Sequence, residues 1–343
     1  MSGSAAAGRL FSACALLAVL SAQLWAGVIP AYLSPVPGSR YNAQRSSILI
    51  GLDHETFRTG NADRDVILVV GELSGVHRGN IEFSDDGRVM IFKPDVPFSP
   101  GEAVNVHLAE GAFTSGGVEL DTLSFRFEVS SLSERDQQAI LKELPNEYSP
   151  APLRSPVLPK SGTVSSPSSA IVVPDDFPHI SVLKSDQPSD GTLFFATWLA
   201  NLTADNIQYD SSGSQYLIAC NNNGAPLFYR HVTSMTADFK VQPTGTLTYF
   251  DNIRGKFYEL DSTYALIDSF ACANGYQTDL HELLLLANGH ALLLGLEPET
   301  INMNLTIPGA YPNANVIGGV IQELDRNKNV VFQWRSFDHF QVT

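Results

Sequence analysis

A chain of 343 residues, 44% of them hydrophobic, can bury a core in each of two domains, which excludes a disordered polypeptide. The net charge of −15, from 36 acidic against 21 basic residues, and the lack of a Lys/Arg cluster argue against nucleic-acid or anionic-membrane partners.

Residues 1–26 read as a secretory signal peptide: Arg9, an apolar run from Leu10 to Leu20, then small residues at Ser21-Ala22 and Ala26-Gly27. The alternative is an uncleaved membrane anchor, for which the run is shorter than the roughly 20 residues of a spanning helix; with the signal removed no membrane association is expected, since no other segment could span a membrane. Cys14 lies inside the run, whereas an acylated cysteine would stand at its end. The expected location is therefore periplasmic or extracellular. Two cysteines then remain, Cys220 and Cys272, either a disulfide candidate or two small buried side chains. Neither has metal-ligand spacing, and no metal site is expected.

From 28 to 130, short alternating runs such as Val104-Asn-Val-His-Leu108 and Leu123-Ser-Phe-Arg-Phe-Glu-Val129 stand between turn clusters at Ser84-Asp-Asp-Gly87 and Ser99-Pro-Gly101. This spacing predicts an antiparallel β-sandwich. His54, His77 and His107 read as its surface or core residues. Ser133 followed by early acids predicts a short helix to Leu144. Eight prolines between 145 and 178 then mark a linker, so 131–179 separates two domains.

From 180 to 343 the chain repeats. "YLIACNNNGAPLFYR" (216–230) aligns with "KFYELDSTYALIDSF" (256–270) and "GVIQELDRNKNVVFQW" (319–334), with turns centred on Asn221, Asp261 and Asp325. "TADFKVQPTGTLTYFD" (236–251) aligns with "LHELLLLANGHALLLG" (280–295), matching Gly245 to Gly289. Offsets of 40 residues (216 to 256) and 44 (236 to 280) are those of four-stranded propeller blades. Residues 297–318 are expected to form a loop outside the sheet. The fold class is thus all-β, an N-terminal antiparallel sandwich followed by a partial β-propeller. His281 departs from the repeat, whose preceding unit has Ala237, and stands where a blade lines the channel. His290 is expected on an exposed hairpin position, outside the site.

The phrase "VMIFKPDVPFSPGEAVNVHLAEG", with "LSFRFEV", resembles a bacterial immunoglobulin-like module. "TDLHELLLLANGHALLLG" and "GGVIQELDRNKNVVFQWRSFDHF" resemble the bacterial arylsulfate sulfotransferase family, whose motifs are H-[DE]-x-x-x-x-x-N-G-x-x-L-L and I-x-E-x-D-x-x-x-x-V-V-x-x-W followed by D-H-F. The resemblance implies a propeller, six-bladed when complete, that transfers a sulfuryl group from a phenolic sulfate ester to a phenol through a sulfohistidine, with no metal, nucleotide or other cofactor. It implies sulfuryl-binding or proton-handling work for His281. His339 matches a second motif position, either catalytic or paired with Asp338 to brace a loop. The family's nucleophile and arginine segments have no counterpart before Thr343, so this chain is expected to be truncated and inactive. The competing reading is a secreted, non-catalytic binding or adhesion protein; a homodimer fits either.

Overall fold

The computed structural model describes residues 29–57, 66–109, 114, 120–143, 161–163, 171–197, 199–203, 206–210, 215–340 and 342. The expected signal peptide and much of the Pro/Ser-rich stretch lie outside them. The described chain is all-β apart from two α-helices and a 3-10 turn at Met303–Leu305, built of several antiparallel sheets, none of them closed.

Eight strands come first: β1 (Tyr32–Ser34), β2 (Ile48–Gly51), β3 (Ile67–Gly71), β4 (Gly75–His77), β5 (Gly79–Phe83), β6 (Val89–Pro94), β7 (Ala103–Leu108) and β8 (Leu123–Glu128). They pair as two four-stranded sheets, β1-β2-β6-β5 and β4-β3-β7-β8. Alternation decides which side chains face inward: Val104, Val106 and Leu108 of β7 are buried while Asn105 and His107 are exposed. Those apolar residues share one core with Ile48 and Ile50 of β2 and Met90 and Phe92 of β6, so the two sheets pack face to face. Strands β2 and β6 are apolar on both faces. Their middle residues, Leu49 and Ile91, point away from this core and join another formed by the C-terminal sheets.

Helix α1 (Glu134–Glu143) begins where Ser133 predicts it. The Ser133 hydroxyl accepts from Asp136 N at 3.2 Å, and the Asp136 carboxylate accepts in return from Ser133 N at 3.2 Å, a reciprocal cap that satisfies two end donors.

The C-terminal part continues with β9 (Ser161–Thr163), β10 (Leu193–Ala196), the hairpin β11 (Leu199–Thr203) and β12 (Asn206–Asp210), then β13 (Gln215–Cys220) and β14 (Pro226–Val232). Strands β10, β13, β14 and β9 form one sheet. Two sheets follow in which sequence order equals spatial order: β15 (Thr236–Val241), β16 (Leu247–Asp251), β17 (Lys256–Leu260) and β18 (Leu266–Phe270); then β19 (Gln277–Leu285), β20 (Ala291–Ile301), β21 (Ala314–Leu324) and β22 (Val330–Arg335). Helix α2 (Ser336–His339) ends the series. The β15–β18 sheet is packed on both faces. Phe239, Leu247 and Leu260 meet Leu217 and Phe228 on one side, whereas Phe250, Phe257 and Phe270 meet Leu283, Leu293 and Val330 on the other.

The three turns aligned by the repeat are one turn built three times. Asn221, Asp261 and Asp325 each accept, through the side-chain Oδ1, from the backbone N–H two and four residues on, at 2.8 to 3.0 Å. The residue three places on is left-handed in each: Gly224 (φ 75°), Tyr264 (φ 63°) and Lys328 (φ 65°). The expectation that 297–318 lies outside the sheet is corrected. Register runs unbroken from Ala291↔Leu324 to Ile301↔Ala314, so both middle strands extend by a further five residues and only 302–313 connects them. The insertion lengthens a hairpin because Val316, Ile317 and the two glycines after them continue a pairing that Gly295↔Val320 has already set in register.

Candidate functional site

The first strands of the two consecutive meanders are both bulged. In β15, Ala237 pairs with Phe250 and Lys240 with Thr248, so Asp238 and Phe239 together oppose one residue. Asp238 takes a left-handed φ of 49° to do so. In β19, Thr278 pairs with Gly295 and Leu283 with Leu293, leaving Asp279 to Glu282 opposite Leu294 alone. Extra residues in one strand bend it and re-aim its side chains. The bulges are tied together by Lys240, whose Nζ lies 2.9 Å from Asp238 Oδ2 and also bonds Glu282. Burial raises the Asp238 carboxyl above the ordinary range against the pull of Lys240. Burial lowers Lys240, but its hydrogen bonds to Glu282 and Asp238 outweigh it and the ammonium is held charged.

His281 stands on the β19 bulge with Asp279 behind it. Asp279 Oδ1 is 2.7 Å from His281 Nδ1 and accepts from His281 N at 2.8 Å. The carboxylate side chain is 11% exposed and the ring 54%, so a sheltered acid orients an imidazole that meets solvent. A carboxylate at Nδ1 fixes the tautomer and leaves proton chemistry to Nε2.

His339 is not part of this cluster. One row crosses the sheet as Thr278↔Gly295↔Val320↔Arg335, with His281 leaving from the first strand and His339 from the last. Three strand spacings, about 14 Å, separate those edges. His339 stacks on Trp334 with centroids 5.0 Å apart and planes 5° from parallel. Asp338 accepts from Arg335 Nη1 at 3.1 Å.

Cys220 and Cys272 are both free thiols, so the candidate disulfide is not formed. Cys220 is buried at the end of β13, whereas Cys272 follows β18, packs under Gly295 and donates to Leu294 O at 3.3 Å. Burial pushes the Cys272 thiol up to about 12, which makes it an inert packing group.

Two arrangements escaped the sequence reading. His290, expected exposed, is 6% exposed and lies between Glu323 Oε1 at 2.7 Å and Asp85 Oδ1 at 3.0 Å; Asp85 comes from the β5–β6 turn, which covers the ring. Arg335 and Glu297, each 1% exposed, pair in the C-terminal sheet, and Arg335 also donates to Asn42 Oδ1 and to Arg40 O, binding the N-terminal sheets to the C-terminal ones. The available signal was Glu297-Pro-Glu299 after a run of leucines: carboxylates two apart share a face of a strand otherwise committed to a core. Beside this pair, α1 and β20 enclose a cavity of about 140 Å³ lined by Gln137, Leu141, Tyr276 and Glu297, with Arg45 and Glu134 also at its wall.

No family model matches the chain, and no curated protein matches it. Among solved structures it is similar to the N-terminal part of the bacterial S-layer protein SbsC, with 11% identity, a TM-score of 0.24 and coverage of 57% of this chain and 43% of that one. It is also similar to a longer form of that S-layer protein and to its domains 1–6, at 10% and 11% identity, with a TM-score of 0.25 and 85% of this chain covered in each case. The chain spans less than half the length of each of these structures.

Proposed function

We propose that the chain is an exported protein of the arylsulfate sulfotransferase kind, an immunoglobulin-like sandwich docked on propeller blades, in which His281 handles the sulfuryl group of a phenolic sulfate ester. The observation that carries this reading is the Asp279–His281 pair on the bulge of β19, at the histidine of the motif resemblance. Two consecutive four-stranded meanders with matching turns support the propeller reading. In such a site the sulfuryl oxygens carry charge that a fixed donor stabilises, and the departing phenolate needs a proton. With Nδ1–H directed at Asp279, Nε2 is the atom that accepts or delivers that proton.

A second reading is favoured by one observation: His339 is three strands away and stacked on Trp334, so the two motif histidines do not form one site. This suits a non-catalytic binding or adhesion module. Titration of the protein with an aromatic sulfate ester, followed at the His281 imidazole by NMR, tests both. A shift of those resonances that disappears in Asp279→Asn supports the first reading, and turnover with a phenol acceptor extends it to catalysis. Unchanged His281 resonances at millimolar ester overturn it in favour of the second.

A further inference from the structure

His290 is at the β19–β20 turn, Glu323 is on β21 of the same sheet, and Asp85 belongs to the Ser84–Gly87 turn of the N-terminal sheets, 205 residues away in sequence. Each ring nitrogen therefore faces a carboxylate oxygen, one from each part of the molecule. A neutral imidazole has a single N–H and points a lone pair at the other carboxylate; only the imidazolium donates to both. The surroundings add further charge on every side. Arg326 Nε lies 3.6 Å from Asp85 Oδ2 and donates to Asn288 O at 2.8 Å, while Asp325 Oδ2 accepts from Asp85 N at 3.2 Å. Asp86, next in the turn, is half-exposed and lies near Arg88 at 3.7 Å. Two carboxylates bracket the ring directly and the nearest cation is spent on one of them, so the site favours a charged ring.

We propose that His290 is a pH-operated latch that fastens the N-terminal sheet pair to the β19–β22 sheet. In the protonated state the ring bonds Asp85 and Glu323 together. Loss of one proton turns one of those contacts from attractive to repulsive and loosens the Ser84–Gly87 turn, which Asp325 and Arg326 continue to hold at Asp85. The docked face does not separate, because Tyr32 Oη still donates to Gln333 O at 2.9 Å and Leu49 and Ile91 remain in the shared core. Release is thus a loosening at one edge of the interface.

The sign of the pH dependence follows from the contacts. Burial lowers the affinity of His290 for a proton, but the bonds to Glu323 and Asp85 outweigh it and raise the pKa above the ordinary value. The stabilisation is complete below the unfolded-state value of about 6.5 and is lost as pH rises through the higher folded one.

The test begins on the unaltered protein, by NMR titration of its histidine side chains. His290 is expected to titrate above 6.5, and Asp85→Asn or Glu323→Gln is expected to weaken its proton affinity about tenfold each. A double-mutant cycle of Asp85→Asn with His290→Gln in equilibrium unfolding reads the latch itself. The coupling is expected to be about tenfold in the unfolding constant at pH 6 and less than twofold at pH 9. A His290 that titrates at or below 6.5, or a coupling equal at the two pH values, overturns the proposal.

Discussion

Arg335 holds Glu297 by two nitrogens on a single oxygen, Nε at 2.9 Å and Nη2 at 2.6 Å, with both side chains 1% exposed. The same guanidinium reaches Asp338, Asn42 and Arg40 O, so one cation satisfies groups from β20, α2 and the N-terminal segment. A buried ion of this kind is costly to place in the interior and more costly to orphan.

Replacement of Arg335 by Met is therefore expected to destabilise the protein by about 3–5 kcal/mol, because Glu297, whose carboxyl burial already pushes up to about 7, and the other groups on the guanidinium lose their buried partner. The double variant Arg335→Met with Glu297→Leu is expected to recover only part of that loss, because Asp338, Asn42 Oδ1 and Arg40 O still lose their donor. Denaturant midpoints at constant m-value measure both.

Glu299 gives a second pH dependence. Its side chain is 1% exposed, and burial pushes its carboxyl up to about 7, while Ser130, Gln137 and the charge of Arg335 oppose the rise. A carboxyl raised above its unfolded value binds more protons folded than unfolded between those two values. Its contribution to stability therefore falls as pH rises from about 4.5 to 7. Glu299→Gln is expected to stabilise the protein by about 2 kcal/mol at pH 8 and to change little at pH 4.5, a difference that thermal unfolding at the two pH values resolves.

The edge of β19 offers a third test. Gln242, 3% exposed, donates to Leu283 O at 2.9 Å and to Thr248 Oγ1 at 2.7 Å, and its Oε1 accepts from Leu285 N at 3.0 Å. One side-chain amide thus takes the place of a neighbouring strand for an edge that is buried against the preceding sheet. Gln242→Leu leaves a backbone N–H and C=O without partners and is expected to cost about 2–5 kcal/mol. Hydrogen exchange at Leu285 is expected to accelerate with it, which separates this effect from a general loss of packing.

Much of this was legible from residue pattern. Period-2 alternation located β7 and β8, Ser133 located the start of α1, and the aligned Asn221, Asp261 and Asp325 located three identical turns, since an acceptor side chain at that position organises a turn locally. The left-handed positions were less evident, because Tyr264 and Lys328 occupy them where glycine is the expected residue. Lys328 is held there by Asp268 at 2.6 Å and by the Phe270 ring beneath its ammonium. His290 could not have been placed from sequence. Its hairpin position reads as exposed until the β5–β6 turn is brought over it, and that contact joins residues 205 apart. The edge-to-edge separation of His281 and His339 depends likewise on sheet order, which the two motifs do not contain.

The Asp279–His281 pair makes the last prediction. Asp279 accepts from both the His281 ring and the His281 backbone, so Asp279→Asn keeps an acceptor for the backbone while removing the charge that orients the ring. The fold is expected to persist, since neither residue contributes to the apolar contacts of Leu280, Leu283 and Leu285. If His281 handles the sulfuryl group and its proton, then in a longer relative that carries the family's nucleophile segment His281→Ala should reduce sulfuryl transfer by at least about 10²-fold, the ordinary cost of losing a positioned acid–base group. Asp279→Asn should fall between that variant and the parent and move the pH profile. The measurement is release of a coloured phenol from its sulfate ester, with a second phenol as acceptor and chelator present. Loss of ester binding in both variants, with unfolding midpoints unchanged, would assign the pair to recognition in a protein without turnover. Binding and transfer unaffected by either substitution would remove His281 from the site.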